Sequence, residues 1–343
     1  MIAETARQFF ATEATSARTR AAIAMPEGID RALWTAFAIE LGLAGVGLPD
    51  HVGGSGLGLV ELAIVAEAAG YRLAAVPLLA SLGMAAPAVL AGGTAAQQTR
   101  WLPDIARGSA VATVAEVRQG IVRGHRLTGI APLVPHGACA DMLLASIGDG
   151  MWIVDLRAPG VTLVAQTSMD QTRPLARILL DNAAGDPLAD VAAARRAMER
   201  SGWTMIAADA LGGAQACLDL GVAHATQRLQ FGRPIGSFQA VKHALADTAI
   251  AIEQARSAVY WAAAADEGSP DAWLAAHAAK ATAARAYADA AAALIQLHGG
   301  IGFTWEHDAH LYFKRAQADR TWLGTPEWHF DRIAEIMQLT DAA

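Results

Sequence analysis

The stretch from Arg228 to Asp247, RLQFGRPIGSFQAVKHALAD, groups side chains that could hold a cofactor. Arg228, Gln230 and Phe231 end one alanine-rich helical segment, and Gln239 begins the next, with a turn of Gly and Pro between them. A guanidinium can bind phosphate, amides can donate hydrogen bonds, and an aromatic ring can stack on a planar group. The stretch could therefore bind a planar cofactor that carries phosphate. The alternative is a helix–loop–helix corner in which Gly and Pro only break the helices.

Two further features could take part in chemistry. The segment QLHGGIG at 296–302 ends a helical pattern in the pair Gly299 and Gly300. Because glycine has no Cβ, this backbone could approach a ligand closely, although an ordinary glycine cap is the alternative. Asp209 is a lone carboxylate in the apolar run MIAADALGGAQ. It is either a core polar group with a partner or a catalytic base whose pKa is raised by burial.

Other chemistries find little support. His307, Asp308 and His310 are close in sequence, but their spacing is not that of a zinc protease. We expect them on a solvent-facing loop after Gly302, and we predict no metal site. The glycine-rich segment 45–58 contains GSGLG but has neither a preceding strand nor the dinucleotide spacing, so we interpret it as a connector between helices. The chain has no G-x-S-x-G elbow, P-loop or CxxC pair.

Three regions of different pattern must position these residues. Residues 1–109 have helical periodicity, with one apolar face formed by Leu33, Trp34, Phe37, Leu41 and Leu43. Residues 110–187 contain short apolar runs separated by Gly, Pro and Asp, which predicts a small antiparallel, barrel-like β-domain. Residues 188–343 return to long helices, predicted at 195–226, 239–265, 271–298 and 326–337. We therefore predict a mainly α protein with a β middle domain and a C-terminal four-helix bundle.

The composition limits the partners and the location. The net charge of −7 argues against nucleic acid, because phosphate binding needs clustered Lys and Arg. A chain that is 54% hydrophobic and only 17% charged suits helix packing and a large subunit interface. Cys139 and Cys217 match no metal or redox spacing, and we expect both to be buried. We find no signal peptide and no uninterrupted apolar run long enough for a membrane span, so we predict a cytoplasmic protein.

Three motifs together resemble the acyl-CoA dehydrogenase family. They are R-x-Q-F-G-x-P-I-x-x-F-Q-x-V-K-H-x-L-A-D at 228–247, Q-L-H-G-G-I-G-F-T-W-E-H at 296–307, and L-P-D-H-V-G-G-S-G-L-G at 48–58. The order of helical, β and helical regions is also similar to the family, and the resemblance spans essentially the whole chain. It implies FAD as the cofactor, an acyl-CoA substrate, an electron-transfer flavoprotein as the acceptor, and a dimer or tetramer of like or unlike chains.

The resemblance also implies which residues contact FAD. Residues 228–231 would contact its pyrophosphate and adenine, and residues 296–300 would lie along the ADP part of the cofactor of a partner subunit. The full set of matching positions is Arg228, Gln230, Phe231, Gln239, Gln296, Gly299, Gly300, Thr325 and Glu327.

The chain departs from the family where the catalytic base is expected. Relatives place a glutamate either directly before a Gly-Thr pair, which is Leu323 here, or on the first long C-terminal helix, which is Gly202 here. Neither residue can take a proton. Asp209, two turns further along the helix, is the best remaining candidate, and Glu199 is a weaker one. If Asp209 is the base, Asp209→Asn should abolish reduction of the flavin by substrate.

The middle domain departs too, since the flavin-contacting T-E-P-x-x-G-S-D stretch appears only as VAEVRQG at 114–120. In this respect the chain is similar to the short partner subunits of bacterial two-gene enzymes that act on ring-bearing or steroid-derived acyl-CoAs.

Three hypotheses for the function remain. The first hypothesis is FAD-dependent α,β-dehydrogenation of an acyl-CoA, alone through an unusual base or together with a catalytic partner. The second is a non-catalytic scaffold that completes the FAD site of a partner. The third is a family member that performs other acyl-CoA or flavin chemistry.

Overall fold

The computed structural model describes residues 2–269 and 271–339. The chain divides into two compact units. The first unit comprises the N-terminal residues up to Thr12, the segment Ala63–Ala74 and the chain from Trp203 onward. The second comprises Glu13–Leu62 and Ala75–Gly202. The three-domain division at residues 109 and 187 stays a prediction.

Short helices make up the chain before residue 110, as the periodicity predicted. Their bounds are α1 Ile2–Glu13, α2 Ser16–Ile23, α3 Arg31–Thr35 with a π-helical turn at Ala36–Glu40, α4 Leu59–Tyr71, α5 Ala86–Gly92 after a π-helical turn at Leu79–Ala85, and α6 Ala95–Ala106. Of the predicted apolar face, Leu33, Trp34, Phe37 and Leu43 are buried, whereas Leu41 is 40% exposed. The segment 45–58 connects helices, as predicted, through 3-10 turns.

The region from Ala112 to Pro187 is a β-region, as predicted. The strands are β1 Ala112–Glu116, β2 Arg118–Arg123, β3 Arg126–Pro135, β4 Met142–Ile147, β5 Gly150–Asp155, β6 Val161–Gln166, β7 Leu175–Ala184 and β8 Asp186–Pro187. They form two four-stranded sheets with the orders β1-β4-β5-β8 and β2-β3-β7-β6.

The expectation of a purely antiparallel domain was wrong at one pair of strands. β1 and β4 are parallel, with Ala112 opposite Met142, while the other pairs of these two sheets are antiparallel. The chain leaves β1, forms β2 and β3 in the other sheet, and returns to β4 beside β1. Such a crossover brings the fourth strand back in the direction of the first. Sequence patterns also missed β2, whose residues are nearly all exposed and therefore show no alternation.

The C-terminal part of the chain contains the helices that carry the candidate site. They are α7 Val191–Gln227, α8 Gln239–Ala264, α9 Asp271–His298, α10 Ala309–Thr321 and α11 Pro326–Ile336. The four predicted helices are confirmed, and α10 was missed. α9 packs against α8, α10 and α11. It also approaches α7 closely, because a Cβ built on Gly213 would lie 2.3 Å from the ring of Tyr287.

One helix within the described residues, α7, is long and apolar enough to cross a membrane, with a mean hydropathy of 1.2 in its best window. That window is 72% buried inside the protein. Core helices of globular proteins have the same composition, so α7 is weak evidence for a membrane span.

Candidate functional site

A small hairpin presents the first cofactor motif. Leu229–Gln230 (β9) pairs with Arg233–Pro234 (β10), and Phe231 and Gly232 form the turn between them. Both turn residues have positive φ, 53° and 74°, which is the backbone of a type I′ hairpin turn. Glycine adopts this conformation freely, whereas a residue with a side chain is strained there by roughly 1 kcal/mol. The turn holds the Phe231 ring out of the protein, where it is 90% exposed.

The polar side chains of this motif are also available to a ligand. Arg228, Gln230 and Gln239 are all exposed. Arg228 has no carboxylate within ion-pair distance in the part of the chain that the structure describes. The Arg233 guanidinium lies 4.2 Å over the ring of Phe238 and fixes the base of the hairpin. A free guanidinium, free amides and an exposed ring are the groups that a planar cofactor with a diphosphate requires, so the residues present fit FAD.

The second motif lies at the same end of the helices as the first. His224, in the last turn of α7, stacks on His298 at the end of α9 with ring centroids 3.9 Å apart. Arg228 follows His224 by one turn, and Gln296 precedes His298 by two residues. The structure thus brings these two predicted segments of one chain together.

The glycines of the second motif border open space. Gln296, Gly299 and Gly300 are exposed. A Cβ built on either glycine would meet no atom of the described chain within 4 Å. The paired glycines are therefore not required by packing inside the chain, and the room beside them is free for a ligand or a partner.

Thr325 and Glu327 form the beginning of α11. Thr325 Oγ1 accepts a hydrogen bond from the backbone N–H of Trp328 at 3.2 Å, which is an N-cap. Glu327 is exposed, and its carboxylate lies 3.4 Å from Nη2 of Arg320. Its own backbone N–H, the Thr325 side chain and Arg320 together lower the pKa of Glu327.

The two positions at which the family resemblance predicts the base hold no proton acceptor. Leu323 lies half-buried in the loop between α10 and α11, with a φ of 60°. Gly202 is buried on α7 and is followed by Trp203. Trp203 in turn contacts His277 and His329, at centroid distances of 4.4 and 5.3 Å.

These two histidines were not found from the sequence, where each stands alone in a helical pattern. Nδ1 of His277 lies 2.7 Å from Nδ1 of His329, and Nε2 of His329 lies 3.0 Å from the carbonyl oxygen of Leu323. Burial lowers the pKa of His277 to about 4 and that of His329 to about 3. Both rings are therefore neutral at pH 7.

Asp209 has a charged partner inside the protein. Its Oδ1 lies 3.4 Å from Nη1 of Arg315 on α10, and their side chains are 13% and 2% exposed. This ion pair supplies the partner that a core carboxylate needs. The role of Asp209 as base stays a prediction. Glu199, the weaker candidate, is half-buried, and burial raises its pKa.

The segment around His310 differs from the expectation. His310 is only 5% exposed, because α10 begins at Ala309 and directs it against the ring of Trp305. The predicted solvent-facing loop was wrong for this residue. Among residues 2–269 and 271–339, no group of three or more His, Cys, Asp or Glu is arranged to hold a metal ion. Cys139 and Cys217 are both buried, as expected.

Comparisons with known proteins agree with the motifs. The model of the acyl-CoA dehydrogenase N-terminal domain matches residues 1–109, and that of the C-terminal domain matches residues 189–338. The acyl-CoA dehydrogenase IpdE2 of Mycobacterium tuberculosis is 36% identical over 95% of this chain and 93% of its own length. The acyl-CoA dehydrogenase FadE27 of the same organism is 31% identical over 93% of this chain and 91% of its own.

Solved structures of two-component complexes are also similar. A chain of the Tcur3481-Tcur3483 steroid ACAD G363A variant is 33% identical, with a TM-score of 0.89, over 100% of this chain and 98% of its own. A chain of the ChsE4-ChsE5 complex of M. tuberculosis is 28% identical, with a TM-score of 0.90, over 100% and 97%. Motifs, fold and similarity over nearly the full length of both chains lead to one conclusion: the chain belongs to the acyl-CoA dehydrogenase family.

Proposed function

We propose that the chain is an FAD-holding subunit of an acyl-CoA dehydrogenase complex and that it takes part in α,β-dehydrogenation of an acyl-CoA thioester. One observation carries the proposal. The hairpin motif leaves Arg228 and Phe231 exposed, and Arg228 has no ion-pair partner among the residues that the structure describes, while the two usual base positions are Gly202 and Leu323. The chain thus has the groups that bind the cofactor and lacks the group that moves the proton.

The residues of this chain would bind and orient the cofactor. Arg228 would pair with the diphosphate, with Gln230 on the hairpin and Gln239 at the start of α8 as hydrogen-bond donors, and Phe231 would contact the adenine. Thr325 and Glu327 would contact FAD at the start of α11. When bound, FAD supplies the electron sink that accepts a hydride from the β-carbon of the substrate.

Removal of the α-proton requires a positioned base, because a thioester enolate forms only when an acceptor meets that proton. Leu323 cannot accept it, and the carboxylate of Asp209 is paired with Arg315. We therefore assign the base to a partner chain. Asp209 is the alternative within this chain.

The surface of α8 supports such a partner. Residues 239–251 are exposed or half-buried at every position, although most of them are Ala, Val, Leu or Ile. Leu229, Ile250 and Phe303 are exposed by 61%, 57% and 69%. Apolar residues of a helix are normally covered, and several exposed apolar side chains favour an interface with another protein. Similar chains occur in the ChsE4-ChsE5 and Tcur3481-Tcur3483 complexes.

The comparisons support a proposal for the acyl group, and the family resemblance supports one for the electron acceptor. One similar structure is described as a steroid ACAD. We propose a bulky, ring-bearing acyl-CoA as the substrate class, and an electron-transfer flavoprotein as the acceptor. A cytoplasmic location stays a prediction.

A scaffold is the second candidate function, and the missing base favours it as much as it favours a shared active site. In that case this chain would complete the FAD site of the partner, and the partner would supply every group that takes part in the chemistry. The two functions differ in one measurable respect, namely whether this chain binds FAD by itself.

The test is to purify the chain alone and together with an acyl-CoA dehydrogenase chain that carries the glutamate, and to record flavin absorbance before and after acyl-CoA is added. We expect flavin that bleaches only in the complex. Bleaching by this chain alone would overturn the assignment of the base to a partner. A colourless preparation of this chain that gains flavin only together with the partner would favour the scaffold.

A further inference from the structure

We propose that Lys280 and His329 are positioning residues that set the shape of the loop Trp322–Thr325 and thereby place Thr325 for contact with FAD. The loop joins α10 to α11 and includes Leu323. The inference rests on the proposed function in one respect, which is that FAD is the ligand of Thr325. Nothing in the sequence motifs points to either residue.

Lys280 donates hydrogen bonds to the backbone just before the loop and to the backbone within it. It lies on α9 and is 0% exposed, so its ammonium group must find its partners inside the protein. Nζ donates to the carbonyl oxygen of Asp319, in the last turn of α10, at 2.8 Å. It also donates to the carbonyl oxygen of Gly324 at 2.9 Å. One side chain thus ties the end of α10 to the residue that precedes Thr325.

His329 holds the middle of the loop. Nε2 lies 3.0 Å from the carbonyl oxygen of Leu323, and a carbonyl can only accept, so the proton of this ring is on Nε2. The Nδ1 atom of the neutral ring is then an acceptor. His277 must donate its own Nδ1–H across the 2.7 Å that separate the two Nδ1 atoms. The carbonyl of Leu323 therefore decides the tautomer of both histidines, and its release would leave the Nε2–H of His329 without this acceptor.

The backbone of the loop depends on these contacts. Leu323 and Gly324 have φ values of 60° and 102°, a conformation that a leucine adopts only at a cost. A Cβ built on Gly324 would lie 2.7 Å from Trp328 and 2.8 Å from Nε2 of His329, so only glycine fits against the histidine. A strained backbone persists where its surroundings hold it from several sides. Here Lys280 and His329 provide that support.

The shape of the loop also determines the position of Thr325 at the start of α11. Thr325 follows Gly324 directly and caps α11 through Trp328. Because the carbonyls of Leu323 and Gly324 both accept hydrogen bonds from buried side chains, the backbone that leads to Thr325 is held at two points. A side chain that is already in place binds a ligand without the entropic cost of ordering a loop.

The test replaces His329 in two ways. His329→Phe removes the donor to Leu323, whereas His329→Gln keeps an N–H near the position of Nε2. We expect FAD to bind roughly tenfold to a hundredfold more weakly to His329→Phe, as is usual when a buried acceptor loses its donor. The His329→Gln variant should stay within about threefold of the wild type on the same grounds. His125→Phe, which replaces an exposed histidine of the other unit, is the control.

FAD affinity is measured by titration of the apoprotein, either as the chain alone or as the complex, according to which of the two binds FAD with the wild-type chain. Urea unfolding midpoints are recorded in parallel. The imidazole nitrogen resonances of the apoprotein report the Nε2–H tautomer of His329 without any cofactor. Equal FAD affinity of His329→Phe and wild type would overturn the inference. A loss of FAD affinity in both variants that is proportional to the decrease in their urea unfolding midpoints would also overturn it. Failure of the wild type to bind FAD in any preparation would remove the proposed function, and this inference with it.

Discussion

The ion pair between Asp209 and Arg315 allows the two roles of Asp209 to be separated by one substitution. Asp209→Asn keeps the shape of the side chain and removes its charge. The side chains are 13% and 2% exposed, so the pair is shielded from water. Loss of one partner of a buried pair destabilises a protein by roughly 3–5 kcal/mol, because the remaining charge loses its compensation. The asparagine carbonyl still accepts a hydrogen bond, so we expect the lower end of that range, about 3 kcal/mol.

Urea unfolding measures this loss, and Trp203, which lies on α7 six residues before Asp209, is a fluorescent reporter near the change. The matched variants are Arg315→Met and the double variant. If the pair stabilises the protein, the double variant should lose less than the sum of the two single losses, by roughly 1–3 kcal/mol.

The second measurement is reduction of flavin by acyl-CoA in the active complex, expressed per bound FAD. We expect Asp209→Asn to retain a rate within about threefold of the wild type, since that factor corresponds to less than 1 kcal/mol in the barrier. Sequence alone had predicted abolition. The reasoning is refuted if reduction is abolished while the free energy of unfolding changes by less than about 0.5 kcal/mol, the range of an ordinary surface substitution.

Three further predictions follow from the site. Because the pKa values of His277 and His329 fall from 6.5 to about 4 and about 3, the unfolded chain binds protons that the folded chain does not. The free energy of unfolding is therefore independent of these rings above pH 6.5 and decreases as the pH falls toward 4, by up to about 1.4 kcal/mol per pH unit for each ring. His277→Asn should reduce this decrease, which is measured by urea unfolding at pH 7.5 and at pH 5. Leu323→Glu should give measurable flavin reduction by acyl-CoA without a partner, and complete inactivity with bound FAD would contradict our assignment of the base position. Arg228→Met should weaken FAD binding at least tenfold, by loss of a charge-assisted contact, with an unchanged melting temperature, whereas Arg285→Met, a change at another exposed arginine, should affect neither.

Local sequence was sufficient for the features that depend on neighbouring residues. The helix periodicities of α7, α8, α9 and α11 were read correctly, whereas the expectation that Arg228, Gln230 and Phe231 end a helix was wrong, because α7 ends at Gln227 and a β-hairpin follows. The cofactor motif could be recognised for the same reason. Its arginine, glutamines and phenylalanine lie within 12 residues of one another, from the hairpin to the start of α8.

The interaction partners of the buried polar residues were determined only by the tertiary structure. Asp209 meets Arg315 across 106 residues of sequence, and His277 meets His329 across 52. The parallel pairing of β1 with β4 has the same origin, since it depends on where the chain returns. A buried charge or imidazole is stable only with a partner, and that partner is chosen by the packing of helices far apart in sequence, which no local pattern records. The sequence by itself therefore determined that this chain carries the cofactor motifs of the family and has Gly202 and Leu323 where a glutamate is expected, while the tertiary structure determined what Asp209, His277 and His329 contact.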